Sequence, residues 1–273
     1  MTAPAWDTLL EPPAEADHVW ELYHENSKTG RHDDFPSQPY ILERMLEMHE
    51  SLPYDGYPAV ELPAELPPLR LSLAEAIAAR ASCRSMRPAP LPLAALAALL
   101  QHAYGITRSN EGTPYPRPSR AVPSGGALYP LEVYLHAKSV AGLAPGVYHY
   151  NPHRRDVRRV RDGDASAELA SALVAFQSHL AHQASAVFFL TALFERSTFK
   201  YGARGYRFVL LEAGHVAQNL NLVATALGLG CINLGGYHDR QVDDILGLDG
   251  LRHSTLYMIG VGEPAGGAET VSQ

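Results

Sequence analysis

The chain has 273 residues, 22 Lys and Arg against 29 Asp and Glu, and a net charge of −7 with histidine neutral; with no long basic run, that argues against nucleic acid as the main partner, because phosphate binding needs clustered cations. Two cysteines, Cys83 and Cys231, cannot build a disulfide framework or a four-thiolate metal site, and no apolar run reaches the roughly 18 residues of a membrane span. The first ten residues lack the basic start and apolar core of a secretory signal, so a cytoplasmic location is expected.

Residues 1–69 carry prolines at 4, 12, 13, 36, 39, 53, 58, 63, 67 and 68, with one helical stretch over 40–50. They read as an extension wrapped over a core or a partner, and Pro67-Pro68 marks the boundary to a regular region, 70–273. Ser72 and Glu75 form a capping box for a helix over 73–81. A second Ala/Leu-rich helix covers 92–102, with proline in its first turn. The Gly-, Pro- and Ser-rich loop 108–130 is longer than a connection requires, and such loops are usually functional. Alternation predicts a half-buried strand over 131–136. A second strand, 146–150, turns at Asn151-Pro152 into a basic, exposed strand over 154–161. A helix over 167–181 precedes a nearly all-apolar central strand, 186–194. Segment 207–229 is apolar almost all round and predicts a long buried helix. Its polar exceptions Glu212, His215 and Asn219 fall in one stripe, and Gly228 and Gly230 stop it. Short strands follow at 231–234 and 255–261. Hairpin-linked strands separated by single helices indicate an α+β layer fold.

Motif by motif, several chemistries fall away. There is no Walker phosphate loop. Gly260-Val261-Gly262-Glu263-Pro264-Ala265 fits a dinucleotide fingerprint on paper, but Pro264 and the nearby end of the sequence leave no room for its helix. His179 and His182 stand three apart without a third ligand, and with no HExxH they read as a solvated helix face. His149 and His153 flank a turn and read the same way. His215 reads as a core or interface residue, and the two cysteines as small buried hydrophobes.

Three segments remain. Arg80, Ser82 and Arg84 leave the first core helix on one side of an extended stretch. Two guanidinium forks and a hydroxyl suit a phosphate monoester, or the cations merely complement a helix dipole. Pro123-Ser124-Gly125-Gly126 offers either close backbone approach to a flat ligand or ordinary turn chemistry. Lys200-Tyr201, in a glycine-flanked loop before the long helix, is either acid–base machinery or a chance dipeptide.

Together and in this order the segments are more specific than any one. RASCRSMRP at 80–88, PSGGALYPLEVYL at 123–135, GVYHYNP at 146–152, KYGARGYRFVLLEAGHVAQNL at 200–220 and GLGCINLGGY at 228–237 resemble the nitroreductase-like flavoprotein superfamily. Within it they are similar to the SagB/McbC-type peptide azoline dehydrogenases. The resemblance covers about 70–262, and YHENSK at 23–28 looks like the family's leading segment.

It implies a nitroreductase-like sandwich, an antiparallel sheet flanked by helices, in an intertwined homodimer with FMN at each subunit interface. On this chain Arg80, Ser82 and Arg84 would hold the FMN phosphate and ribityl chain. Pro123, Ser124, Gly125 and Gly126 would lie against the isoalloxazine, and Gly235 and Gly236 would pass near its reactive edge. Asn219 would face the flavin or the interface. Lys200 and Tyr201 match the catalytic pair, which ordinary nitroreductases lack. The segment 262–273 has no Lys or Arg, whereas simpler nitroreductases often use basic residues there for the phosphate. That leaves Arg80 and Arg84, with Arg207 or Arg252 as further candidates.

The implied reaction is dehydrogenation of a peptide-borne thiazoline or oxazoline to the azole, with a cyclodehydratase as a candidate partner. The alternatives are oxidation of another amino-acid- or peptide-derived intermediate, an NAD(P)H-dependent nitro or quinone reductase, and a flavin-free scaffold subunit of a peptide-modifying complex.

Overall fold

The structure is a computed structural model that describes residues 18–31, 34–113 and 117–266. The prolines at 4, 12 and 13 and residues 267–273 lie outside the described residues. The helices are α1 (Val19–Asn26), α2 (Gln38–Glu47), α3 (Leu73–Ala79), α4 (Leu93–Tyr104), α5 (Ser166–Ala172), α6 (Leu180–Gln183), α7 (Glu195–Tyr201), α8 (Ala203–Ala226) and α9 (Asp239–Leu246). The strands are β1 (Ala59–Glu61), β2 (Met86–Arg87), β3 (Ile106–Arg108), β4 (Ser119–Arg120), β5 (Leu131–Ala137), β6 (Gly146–Asn151), β7 (Asp156–Asp162), β8 (Ala186–Leu193), β9 (Gly230–Leu234) and β10 (His253–Pro264).

An antiparallel sheet ordered β1-β7-β6-β5-β8-β10-β2, with β9 also paired to β10, is flanked by helices. The α+β expectation holds. Successive strand residues point to opposite faces, and both faces are covered. Leu131, Val133 and Leu135 of β5, with Phe188 and Leu190 of β8, meet Leu96, Leu99 and Leu100 of α4 and Val209, Val216 and Leu220 of α8. Tyr134, Val187 and Phe189 meet Leu169 of α5, Leu180 of α6 and Val242 of α9 on the other side. This two-sided burial is why β8 is continuously apolar in sequence. No helix among the described residues is long and apolar enough to cross a membrane.

Several expectations are corrected. The helix expected over 167–181 breaks at Leu173, which turns extended (ψ 152°). The next residue, Val174, donates its N–H to the Gly236 carbonyl at 3.1 Å. The basic strand is not exposed, because β1 pairs with β7 from Ala59↔Arg158 to Glu61↔Asp156. Its arginines are matched by Asp156 and Glu168. The glycine-flanked loop expected around Lys200-Tyr201 is instead the end of α7 and, past Gly202, the start of α8. The long helix is buried on one side only: Leu210 and Leu211 are 42% and 60% exposed, and His215 is exposed while Glu212 is buried. An apolar helix face has no need to be covered within its own chain, so composition overstated the burial. His149 is not on a solvated turn. It lies fully buried on β6.

The described residues between 18 and 62 run over the core. Tyr23 of α1 meets Tyr206 edge-on at 5.4 Å. Arg207 donates to the Ser27 hydroxyl at 2.7 Å and to the His24 carbonyl. Arg207 is thereby committed to docking α1. Farther along, Ser51 Oγ donates to Glu132 Oε2 at 3.2 Å and the Leu52 N–H to Oε1 at 2.9 Å. Glu132, on β5, is 2% exposed. Its carboxylate also lies 2.7 Å from Arg196 Nη1 of α7 and 2.6 Å from His149 Nε2. Burial opposes its ionisation, but Arg196 and His149 outweigh burial and hold the carboxyl well below the usual carboxylate range. One ion therefore joins the extension, the sheet and α7. Truncating it strands a buried guanidinium. Glu132→Ala is expected to cost about 3–5 kcal/mol in urea unfolding. Arg196→Ala should cost a similar amount, and the double variant less than the sum.

Candidate functional site

The site begins where α7 meets α8. Glu195 opens α7 and Lys200 closes it, both complementing the helix dipole. Gly202, at φ +55°, ends α7 and begins α8. The two helices touch backbone to backbone at Gly205, where a Cβ would lie 2.9 Å from the Ser197 carbonyl carbon and oxygen. Ser197 Oγ donates to the Gly205 carbonyl at 3.2 Å. Any larger residue at 205 would push α7 off α8, so the half-buried Lys200 and Tyr201 leave from a fixed corner.

Facing that corner is loop 123–129. Gly126 has φ +67°, and Ala127 and Tyr129 also take positive φ (54° and 46°). Such conformations cost a non-glycine residue roughly 1–2 kcal/mol and persist here because the loop is tied down. The Tyr129 N–H donates to Ser124 Oγ at 2.9 Å, and the Arg120 N–H to Tyr129 Oη at 3.0 Å. Buried Arg117 donates to the Leu128 carbonyl at 3.2 Å.

Loop and corner converge. A Cβ on Gly126 would sit 2.7 Å from Tyr201 Oη and 2.8 Å from Lys200 Nζ, and one on Gly125 would sit 3.2 Å from the Phe208 ring. Tyr201 and Phe208 stack edge to face at 4.9 Å, and Lys200 Nζ lies 5.1 Å from the Tyr201 ring centre. The extension closes this corner from outside. Ile41 and Met45 of α2 pack with Leu128, Phe199 and Tyr201. An ammonium and a phenol thus meet at a backbone that carries no side chain, an arrangement able to exchange a proton with a group lying against that backbone.

The other candidate residues lie elsewhere on the chain. Arg80 caps the C-terminus of α3. Ser82 bridges to Cys231, and the Cys83 N–H donates to the Cys231 carbonyl at 2.9 Å. His179 Nε2 lies 3.0 Å from the Arg84 carbonyl. Arg84 and Ser82 are exposed and Arg80 half-buried. Neither guanidinium enters an ion pair among the described residues. This cluster adjoins β9, just beyond the C-terminal end of α8, whereas Lys200, Tyr201 and Gly126 sit at its N-terminal end. The 24 residues of α8, about 36 Å of helix, run between them, so the two groups lie toward opposite ends of it. Gly235 and Gly236 follow β9, and a Cβ on Gly236 would press on the Val174 methyls at 3.0–3.1 Å. Asn219 donates to the His102 carbonyl at 3.3 Å, in an apolar cleft of about 260 Å³ lined also by Leu73, Leu222 and Val223.

Sequence reasoning missed a polar group beneath the loop. Glu212 of α8 accepts from Tyr104 Oη at 2.8 Å, with the Ser124 hydroxyl near enough to favour its charged form. Burial pushes its carboxyl up to about 7 against these two donors. The signal was a carboxylate within an otherwise apolar stretch of helix. Among the described residues no group of three or more His, Cys, Asp or Glu could hold a metal ion.

The Nitroreductase family pattern matches residues 77–263. The chain belongs to the nitroreductase family. A Methanocaldococcus jannaschii protein named as a nitroreductase, MJ1384, is 39% identical over 176 residues, 64% of this chain and 84% of that one. The microcin B17-processing protein McbC of Escherichia coli is 35% identical over 134 residues, 48% of this chain and 49% of that one. Among solved structures, the E. coli microcin synthetase McbBCD complex with truncated pro-MccB17 bound gives a TM-score of 0.60 at 24% identity, covering 96% of this chain and 98% of that one. A Desulfovibrio desulfuricans nitroreductase structure in complex with FMN gives 0.50 at 20%, covering 75% and 92%. The chain is of the nitroreductase-like, SagB/McbC type that its motifs resemble, in an oxidoreductase superfamily.

Gly126→Ala tests the convergence. The added methyl must displace Lys200 and Tyr201. It should cut oxidoreductase turnover roughly 10- to 100-fold while lowering the melting temperature by only about 2–4 °C.

Proposed function

We propose that this chain is an FMN-dependent dehydrogenase that converts a peptide-borne azoline to the aromatic azole. The observation that carries the reading is the meeting of Lys200 Nζ and Tyr201 Oη at the Gly126 backbone. The residues present suit the cofactor. Arg80 and Arg84 lie outside any ion pair among the described residues and match a phosphate monoester. The Gly125–Gly126 backbone allows a flat ring system to approach closely. The likeness to McbC, whose name concerns microcin B17 processing, favours a peptide substrate and a biosynthetic partner such as a cyclodehydratase.

Bound FMN would supply the hydride acceptor. The chain's own part is proton handling and positioning. Lys200 would take the ring Cα proton, directly or through Tyr201, and α2 would shield the pair from bulk water. Ser82 would add a donor to the phosphate cradle, and Pro123 and Ser124 would extend the flavin-facing loop. Gly235 and Gly236 would line the cofactor's reactive edge, and Asn219 would serve the subunit interface. Because the phosphate cluster and the Lys200 corner stand at opposite ends of α8, one cofactor reaching both draws on two chains. A homodimer supplies them, and the outward Leu210 and Leu211 offer an apolar face for it.

The visible spectrum of the purified protein tests the cofactor, and Lys200→Ala tests the chemistry. The variant should keep its flavin bands and lose at least about 100-fold in azoline-peptide dehydrogenation. Full activity with FMN bound would remove Lys200 from the mechanism. Steady NAD(P)H consumption with a quinone, and none of the azoline reaction, would favour a reductase.

A further inference from the structure

Arg117 takes no part in the chemistry above, yet it touches both walls of the Lys200–Tyr201 corner. It is 4% exposed, and its guanidinium enters no ion pair among the described residues. Its partners are main-chain carbonyls. Nη1 donates to Leu128 of the glycine loop at 3.2 Å. Nη2 donates to Met45 and, at 3.4 Å, to Met48, both at the end of α2.

A buried charge is costly unless it is compensated, and here the compensation comes from a helix end. The last carbonyls of a helix have no partner within it and carry the negative end of its dipole. Met45 and the cap residue Met48 belong to that set in α2. A guanidinium can bond carbonyls on two arms in one fixed geometry, which the point charge of an ammonium does not reproduce. Arg117 therefore fastens the end of α2 to a loop carbonyl two residues beyond Gly126. Arg120 continues the seam. Its Nη2 donates to the Glu50 carbonyl at 2.6 Å, and its guanidinium lies over the Tyr104 and Tyr129 rings at 4.5 and 4.9 Å.

The consequence concerns Tyr201. Its ring packs with Ile41 and Met45 of α2 and with Leu128 of the loop, and its hydroxyl stands where a Cβ on Gly126 would lie 2.7 Å away. The ring is thus held by the two segments that Arg117 joins. A second charged tie of α2, Arg44 with Glu195 at 2.6 Å, involves a glutamate that is 69% exposed, and such surface pairs hold weakly.

We propose that Arg117 is a positioning residue that seats α2 on the 123–129 loop and thereby fixes the Tyr201 hydroxyl, with the Lys200 ammonium beside it, against the Gly126 backbone. The inference rests on the dehydrogenase reading above and adds to it a residue that acts only through Tyr201 and the loop.

The test compares full-length wild type with Arg117→Lys, which keeps a charge but loses the fork. After tyrosine nitration read by mass spectrometry, with exposed Tyr57 as internal reference, Tyr201 should react about tenfold faster in the variant. In azoline-peptide dehydrogenation its kcat should fall about tenfold, with KM and FMN affinity within about twofold of wild type. Arg117→Ala leaves room for free guanidinium, so millimolar guanidinium chloride should restore its kcat and its Tyr201 protection and do nothing for Lys200→Ala. Wild-type nitration and kcat in Arg117→Lys overturn the proposal. A loss of FMN affinity or a rise in KM as large as the fall in kcat also overturns it, because a general loosening would do the same. Arg44→Ala, which cuts only the surface tie, should stay near wild type, and Tyr201 nitration as fast as in Arg117→Lys would remove the special role of the seat. If wild type shows no azoline reaction the dehydrogenase reading fails, while Tyr201 nitration in Arg117→Lys still decides whether Arg117 seats α2.

Discussion

A buried carboxylate holds the working parts of this chain together. Glu132 stands on a central strand with essentially no access to water, and its partners arrive from three directions: the backbone and hydroxyl of the N-terminal extension, a histidine of the neighbouring strand, and the arginine at the start of α7. A buried ion is costly unless all its partners are in place. Its presence therefore locks the positions of segments that are far apart in sequence. Arg196 and Lys200 are one helical turn apart, so the ion that fixes the first also orients the second.

The extension belongs to the site for the same reason. Its first helix is hooked to α8 through Arg207 and Ser27, its second covers Tyr201 and Leu128, and its next stretch satisfies Glu132. The corner that holds Lys200 and Tyr201 is thus walled on one side by residues before position 50. The loop 123–129, with Gly126, Ala127 and Tyr129 at positive φ, is held by Arg117, Tyr129 and Ser124 rather than by regular structure. Strain of this kind survives only where surrounding contacts over-determine the backbone.

Much of the fold is legible in the residues themselves. The alternation in β5 and the unbroken apolar run of β8 give their positions, but β5 is buried on both faces rather than half-buried as its alternation predicts, because helices cover the face that carries Glu132, Tyr134 and His136. The capping box of Ser72 and Glu75 is present as read. The motifs also marked Lys200, Tyr201 and the paired glycines, which the fold brings to one corner. What escaped reading depends on partners distant in sequence. His149 looked solvated because nothing local announces that residues 51–54 cover it. The outer face of α8 looked buried because leucine composition does not say whether a leucine is covered. α7 went unread because seven residues with two aromatics and two hydroxyls show little period, and its helical state is imposed by the Glu132 ion and by packing on α8. Glu212 stood out as a charge in an apolar run, but only the fold shows that Tyr104 is its partner.

The length of α8 acquires a meaning of its own. Its first turn is clamped to α7 at Gly205, its second presents Phe208 to the glycine loop, and its far end hands the chain to β9 beside Cys83 and Arg80. A helix advances about 100° per residue. Inserting or deleting a single residue between these stations would rotate one set of contacts a quarter-turn or more away from the other, with no compensation available from a rigid rod. Evolutionary change along this segment is therefore confined to exchanging side chains at fixed count, and variation in length is left to the connections outside it.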